Sequence, residues 1–357
     1  MFRGAGIFLL LIFLGGSLQA SAAPSCQLLL KVELSSPKER PLRFMSYNVL
    51  NLFLHQGKYV WGENGQEKVN QDHMPNQKPE EQTRGVAAAI LTTRPDFLIL
   101  QEVEGRDSLH RFNDEYLGSD YQVFMPPTND SRGIGVAFLI RKNVDVRVEV
   151  GSASEHTWVN PTGREEKVFS RNFPVFKIFK PRAKEPSLII AGVHFKSQRD
   201  RKGDPNSYLK RQTEMEHAVQ ILERMKRKHS NSPIVVMGDF NASRGDKEVM
   251  PIFEKLGFFD PHLSEMHFED IGGLGRTTHT YHPFIKNVEQ PAVRNALDRA
   301  LLSRRLLKYL KKSAIYRYRV LGSATKKRIP ESYSERDENP SDHYPIYFDL
   351  DPSIIFD

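Results

Sequence analysis

Short apolar runs recur along the chain, separated by polar and turn-forming stretches. They fall at Leu42–Val49, Phe97–Gln101, Gly133–Ile140, Val144–Val150, Phe173–Phe179, Leu188–Val193, Ile234–Met237, Ala300–Leu302 and Tyr344–Leu350. Their Val, Ile, Phe and Leu content, and their punctuation by Pro, Gly and Asn, predict strands. Two stripes have helical spacing instead: Val86, Ala87, Ile90 and Leu91, stopped by Pro95, and Met215, Ala218, Val219 and Leu222 within Ser207–Lys228. Both read as core-facing sides of helices. Residues 55–82 are polar, carry Gly57, Gly62, Gly65, Pro75 and Pro79, and have no period. They predict a long surface loop. Strands interleaved with helices and short links indicate an α/β (α+β) domain with mixed sheets.

The start of the chain follows a different pattern. Arg3 precedes the unbroken apolar run Ile7–Leu14, and Gly15-Gly16-Ser17 leads to Ala20-Ser21-Ala22. This is the form of a signal peptide, residues 1–22, cut after Ala22 and directing export to a periplasm or the exterior. The run is shorter than the ~20 residues needed to span a bilayer, and no other stretch is long enough. Residues 23–41 form a lead-in, 42–350 the folded domain and 351–357 a short tail. Cys26 is the single cysteine in 357 residues, which excludes a disulfide framework and a Cys-based zinc cluster. Ala23-Pro24-Ser25 is a poor context for lipid attachment at Cys26. The formal charge of +7 points mildly to anionic partners.

Acids, amides and histidines collect where the apolar runs end. Asn48 and Glu102 close the first two strands, His194 follows Ile189–Val193, and Asp239 and Asn241 follow Val235–Gly238. Asp298 opens the strand at Leu301-Leu302, and Asp342-His343 precedes Tyr344-Pro345-Ile346. One such residue is ordinarily a turn or cap. A set of them at the edges of six strands resembles the way open sheets build sites. Oxygen donors without cysteine select a hard cation: Mg²⁺, with Mn²⁺ or Ca²⁺ as options. Two histidines near carboxylates suit proton transfer and phosphate contact. Neither a P-loop nor a Gly-x-Ser-x-Gly elbow is present. Metal-assisted phosphoester hydrolysis fits best.

The ordered set Ser46-Tyr47-Asn48-Val49, Gln101-Glu102-Val103, Gly192-Val193-His194, Gly238-Asp239-Phe240-Asn241, Leu297-Asp298-Arg299 and Ser341-Asp342-His343-Tyr344-Pro345 resembles the endonuclease/exonuclease/phosphatase superfamily, of deoxyribonuclease-I-like fold. The resemblance runs from about residue 42 to 350. It implies a four-layer sandwich of two mixed, mostly antiparallel β-sheets flanked by helices, with the active site at one rim. It also implies Glu102 as principal metal ligand, with Asn48 and Asp342 near the same ion. Asp239 and Asn241 then contact the attacking water or the scissile phosphate, and His194 faces that phosphate from the other side. His343, oriented by Asp298, is the general base or the group stabilising the transition state; Asp239 competes for the base role. Arg132, Arg276 and His279 either reach substrate or serve turns and packing.

Substrate is less directly encoded. From Arg299 to Pro330 there are eleven Lys/Arg and no acid, with Tyr309, Tyr316 and Tyr318 interspersed. Arg199, Arg201, Lys202, Lys210 and Arg211 form a second basic group after His194. Such clusters track phosphates and tyrosines stack on bases, so nucleic acid is the expected substrate, with Lys311 and Lys312 among its contacts. The competing readings are a sphingomyelinase-like or phosphoinositide-type phosphoesterase and, from another class, a binding module without catalysis. The sequence shows no isolated aromatic hairpin of the kind a membrane-engaging enzyme needs, and the complete residue set opposes a non-catalytic module. A monomer without an obligate protein partner is expected.

Overall fold

A computed structural model describes residues 36–54, 58–61, 67–70, 77–243, 245, 246, 254–318 and 329–357. The proposed signal peptide and Cys26 lie outside the described residues. Two sheets carry the fold. The strands of the first are β1 (Leu42–Leu52), β2 (Phe97–Glu104), β3 (Tyr121–Phe124), β4 (Ile134–Arg141), β9 (Phe268–Glu269), β11 (Leu310–Ile315) and β12 (Ile346–Leu350), in the order β9-β11-β12-β1-β2-β4-β3. The second contains β5 (Arg147–Ser152), β6 (Pro174–Phe179), β7 (Leu188–His194), β8 (Ile234–Asp239) and β10 (Asp298–Leu302), in the order β10-β8-β7-β6-β5. Pairing is parallel only for β1/β2, β9/β11 and β7/β8. The expected mixed, mostly antiparallel sandwich is what forms.

Period-two alternation decides which side chains lie between the sheets. Phe44, Phe97 and Phe348 stack across the first sheet, with centroids 4.6 and 5.1 Å apart. Phe138 meets Phe176 of the second sheet at 4.3 Å. Burying one ring of this size is worth roughly 1.5–3 kcal/mol. On β7, Ile190 belongs to this inter-sheet core, while Ile189, Ala191 and Val193 pack with Met215, Ala218, Val219 and Leu222 of α3 (Tyr208–Lys228). On the first sheet, α1 (Glu80–Thr93) covers the outer face through Val86 and Ile90 and a Thr93 Oγ1 contact to Met45 Sδ, 3.1 Å. Glu80 and Glu81 suit the positive end of its dipole, and Arg94 turns left-handed before Pro95.

Several boundaries differ from the sequence reading. The stretch 55–82 is not all loop: Lys58–Trp61 and Glu67–Asn70 pair as an antiparallel hairpin, and α1 already begins at Glu80. The strand expected at Val144–Val150 occupies 147–152, and β12 starts only at Ile346, after a proline that has no N–H for a ladder. Helix α2 (Arg106–Tyr116) and strands β3 and β11 have no counterpart among the predicted elements. Gly192 permits close approach of the sheets: a Cβ there would lie 2.8 Å from Val136 Cγ1.

Candidate active site

The alternation that fills the core also builds the rim. Ile190, Gly192 and His194 share one face of β7, as do Val235, Met237 and Asp239 on β8. Registers place His194 opposite Asp239, and Asp239 opposite Asp298. From the first sheet, Phe44, Ser46 and Asn48 run to the same rim. Gly238 makes the β8 end possible. Its φ is +151°, and a Cβ would fall 1.9 Å from Val193 O, so only glycine fits before Asp239.

Two adjacent bulges aim the remaining ligands. Register shifts lie between Asn48 and Leu52 on β1 and between Gln101 and Val103 on β2. Leu50, Asn51 and Glu102 have φ of +50°, +52° and +65°. Such left-handed, non-glycine positions persist only where surrounding structure enforces them. Here Asn51 N–H donates to Glu102 Oε2 at 3.0 Å, and Leu50 N–H to Asn48 Oδ1 at 3.1 Å. Asn48 Nδ2 donates to Asp239 Oδ2 at 3.0 Å, and Asn241 supplies its N–H to Oδ1 (2.8 Å) and Nδ2 to Oδ2 (3.1 Å).

The histidines close the site around Asp239. His194 Nε2 lies 3.6 Å from Asp239 Oδ2 and 3.7 Å from Glu102 Oε1. Burial, with repulsion from Arg171, holds the His194 pKa well below the ordinary imidazole value. His343 Nδ1 is 2.7 Å from Asp298 Oδ2, and its Nε2 is 3.9 Å from Asp239 Oδ2 and 4.0 Å from Asp342 Oδ1. Burial opposes charge on His343, but Asp298 and Asp239 outweigh it and hold its pKa well above the usual value. Asp239 is raised, chiefly by burial. Burial would also raise Asp342, yet His343, His279 and Arg336 keep it below the ordinary carboxylate range. Ser341 Oγ ties the Ser-Asp-His turn to β1 by donating to Asn48 O and accepting from His343 N–H.

His279 joins the cluster: its ring centre is 4.6 Å from that of His343, and its Nε2 is 3.8 Å from Asp342 Oδ2. Arg132 stands at the edge, held by Asp130, with Nη1 3.5 Å from Asn51 Oδ1. Arg276 does not join. Its Nε donates to His262 O at 2.7 Å and its guanidinium covers Phe268, a packing role. Lys311 and Lys312 pair with Asp351 and Glu269. They sit where β11 meets Asp349 and Leu350, at the end of β12 away from His343. Tyr318 is buried, donating to His343 O, and Tyr309 and Tyr316 pack on the core rather than offering faces to bases. Arg201, Lys210 and Arg211 are likewise engaged within the fold.

Three cations at the site escape the sequence reading. Buried Lys78 donates to Leu50 O at 3.0 Å, and burial lowers its pKa to about 8 although Asp342 and Glu102 pull it upward. Arg336 Nη1 is 3.5 Å from Asp342 Oδ2. Arg171 donates to Phe195 O and pairs with Asp130 at 3.3 Å. Lys78 lies in a stretch without periodicity, and nothing in its neighbours marks it. A further surprise is apolar. Strand His279–Tyr281 pairs with Val293–Asn295, and a tighter hairpin pairs Phe284–Ile285 with Val288–Glu289. Tyr281, Phe284, Ile285, Val288 and Val293 are all exposed. The hairpin whose absence the sequence suggested is therefore present, leading out from His279.

The donor set fits a hard divalent cation. Glu102 Oε2 accepts from Asn51 N–H and Oε1 from Asn48 Nδ2 at 3.4 Å, and buried Asp342 Oδ1 has no hydrogen-bond partner. Donor atoms also converge at His279/Asp342/His343 and at Asp239/Asp298/His343. In the second group Nδ1 of His343 is already taken by Asp298, whereas Glu102, Asp342 and Asn48 are oxygen donors of the kind a hard cation takes. Carboxylate and histidine donors that could hold a metal, beside an Asp–His pair at the rim of a double-sheet sandwich, fit a phosphoesterase. The chain belongs to the endonuclease/exonuclease/phosphatase family, whose model matches residues 45–343.

Similar solved structures include the human Nocturnin catalytic domain with bound sulfate, at 17% identity and TM-score 0.54, covering 88% of this chain and 95% of that one. Truncated Caenorhabditis elegans TDP2 aligns at 17% identity and TM-score 0.52, covering 88% and 99%. Bacteroides thetaiotaomicron mannosyl-6-phosphatase aligns at 15% and 0.52, covering 87% and 99%. At these identities the likeness is one of fold. Comparison with curated proteins gives no match.

Proposed function

We propose that this chain is a metal-dependent phosphodiesterase that cleaves nucleic acid, DNA or RNA, endonucleolytically. The observation carrying the reading is the junction at Asp239, where His194, His343, Asn48 and Asn241 meet one buried carboxylate. Glu102 and Asp342, with Asn48 beside them, would hold the cation, which would supply charge neutralisation at the phosphoryl group. Mg²⁺ suits these oxygen donors, as do Mn²⁺ and Ca²⁺. Asp239, its pKa raised by burial, takes the proton of the attacking water. His343, kept protonated by Asp298, donates from Nε2 where negative charge develops. Neutral His194 and Asn241 orient the phosphate.

Nucleic acid is supported by two part-exposed cations at the site, Arg132 near Asn51 and Arg336 near Asp342. A polymer has phosphates on both sides of the scissile one. Fold does not choose the substrate, since a mannosyl-6-phosphatase shares it. The test is turnover of supercoiled plasmid, RNA, sphingomyelin and a phosphoinositide, with Mg²⁺ and with EDTA. Nicked plasmid in Mg²⁺ alone is expected; turnover confined to lipids would overturn the reading. That second reading, a lipid phosphodiesterase, is favoured by the exposed hairpin beside His279. Export is part of the proposal and rests on Ile7–Leu14 and Ala20-Ser21-Ala22; a secreted product beginning at Ala23 is its test.

A further inference from the structure

Among the described residues of the acid-free run Arg299–Pro330, the fold occupies some cations internally and leaves others to solvent. Arg299 pairs with Asp260 at 3.3 Å, Lys311 with Asp351 at 2.9 Å, and Lys312 with Glu269. Arg317 donates to the Thr277 and Gly275 carbonyls. Arg304, Arg305 and Lys308 have no ion pair among the described residues, and Arg305 donates only to a carbonyl, Ser230 O, at 2.8 Å. All three are exposed on the 3₁₀ turn Arg304–Tyr309 that follows β10. They line one open depression of about 720 Å³, with Pro233, Leu307 and Tyr309 as its apolar part. A neighbouring depression of about 320 Å³ shares Arg304 and Arg305 and adds Lys226 from the last turn of α3. Among the described residues, no acid lines either. The antiparallel β8 and β10 span from the catalytic rim to the depression, and five residues at ~3.4 Å each make that about 17 Å.

We propose that this depression is a second anion site, which holds backbone phosphates of a nucleic acid whose scissile bond lies in the catalytic cleft. The inference rests on the nucleic-acid reading above. Exposed like charges gathered without acids repel one another, and a polyanion relieves that repulsion while releasing its own counterions. Leu307, exposed in the depression, offers the sugar an apolar contact. Reach makes the site selective for length. A strand advances about 3.4 Å per nucleotide in a duplex, so fewer than about five base pairs cannot occupy cleft and depression together.

The experiment uses the full chain in EDTA, which prevents turnover, and measures anisotropy of labelled duplexes of about 4 and about 16 base pairs across a salt series. The triple variant Arg304→Gln/Arg305→Gln/Lys308→Gln is compared with the parent. The parent should bind the longer duplex more tightly. The variant should lose that advantage and flatten its log K against log salt slope by about 2.7, at ~0.9 for each phosphate that it no longer neutralises. Hydrolysis of a small phosphodiester in Mg²⁺ should stay unchanged, which also shows that the variant folds. A parent that cleaves nucleic acid, joined to a variant of unchanged slope and length preference, overturns the second site. A parent that neither binds nor cleaves nucleic acid overturns the substrate reading itself.

Discussion

The Asp298–His343 pair offers the sharpest test of the chemistry. Asp298→Asn keeps the side-chain volume but removes the charge facing His343 Nδ1 across 2.7 Å. A buried hydrogen bond to a charged group is worth about 1.5–3 kcal/mol. At 1.36 kcal/mol per pKa unit, losing it should lower the His343 pKa by about 1–2 units. His343 works protonated, so activity falls as pH rises through its pKa. The high-pH limb of kcat/KM should therefore move to lower pH by that amount. His343→Ala should abolish the limb and reduce kcat by about 10²–10⁴, the usual range for proton-transfer groups. Because Asp298 acts only through His343, the double variant should be no slower than His343→Ala alone. Multiplicative losses, or an unmoved limb in Asp298→Asn, would refute the pairing.

Glu102→Gln places an amide where Asn51 N–H and Asn48 Nδ2 both point; folding should survive while activity at low Mg²⁺ falls about 100-fold or more, with partial rescue at high Mg²⁺ or Mn²⁺. Full activity in EDTA would count against a metal site. Gly238→Ala should cost roughly 3 kcal/mol or more in urea unfolding, given the 1.9 Å approach to Val193 O; wild-type stability would mean that the strand end tolerates a Cβ. Lys78 loses its proton near pH 8 in the folded chain and near 10.4 when unfolded. The unfolded state thus binds more protons between those values, and stability rises with pH there. Lys78→Met should remove that rise, so unfolding curves at pH 8 and 10 that change equally in both proteins would contradict the burial argument.

Much of the scaffold is legible in the sequence because its signals are local. Core strands such as β2, β6, β7 and β8 announce themselves by apolar, β-branched runs, and α1 and α3 by stripes at helical spacing. The polar residues that end those runs share one rim. Alternation along a strand puts residues two apart on one face, so Ile190 and His194, or Val235 and Asp239, necessarily face alike. Elements whose stability comes from neighbours are harder to see. β11 and α2 carry mixed polar sequences and gain their place by pairing with β12 or packing beneath β2 and β3. The hairpin within 55–82 likewise has no periodic signature.

By itself, the sequence determined an α/β domain with mixed sheets, the order of its strands' polar ends, and the residue types able to hold a hard cation. Local patterns suffice for these, because each strand records its own faces and its own terminus. Tertiary structure alone decided which charges meet. Lys78 becomes a buried neighbour of the Glu102 and Asp342 carboxylates only because the β1 bulge passes its Leu50 carbonyl to it. Lys311 and Lys312 leave the substrate question because β11 runs antiparallel to β12 and carries them to its far end, where Asp351 and Glu269 take them up. Charge interactions act through space and are screened within about 10 Å in salt, so the linear order of Lys and Arg residues cannot say which of them a phosphate will find.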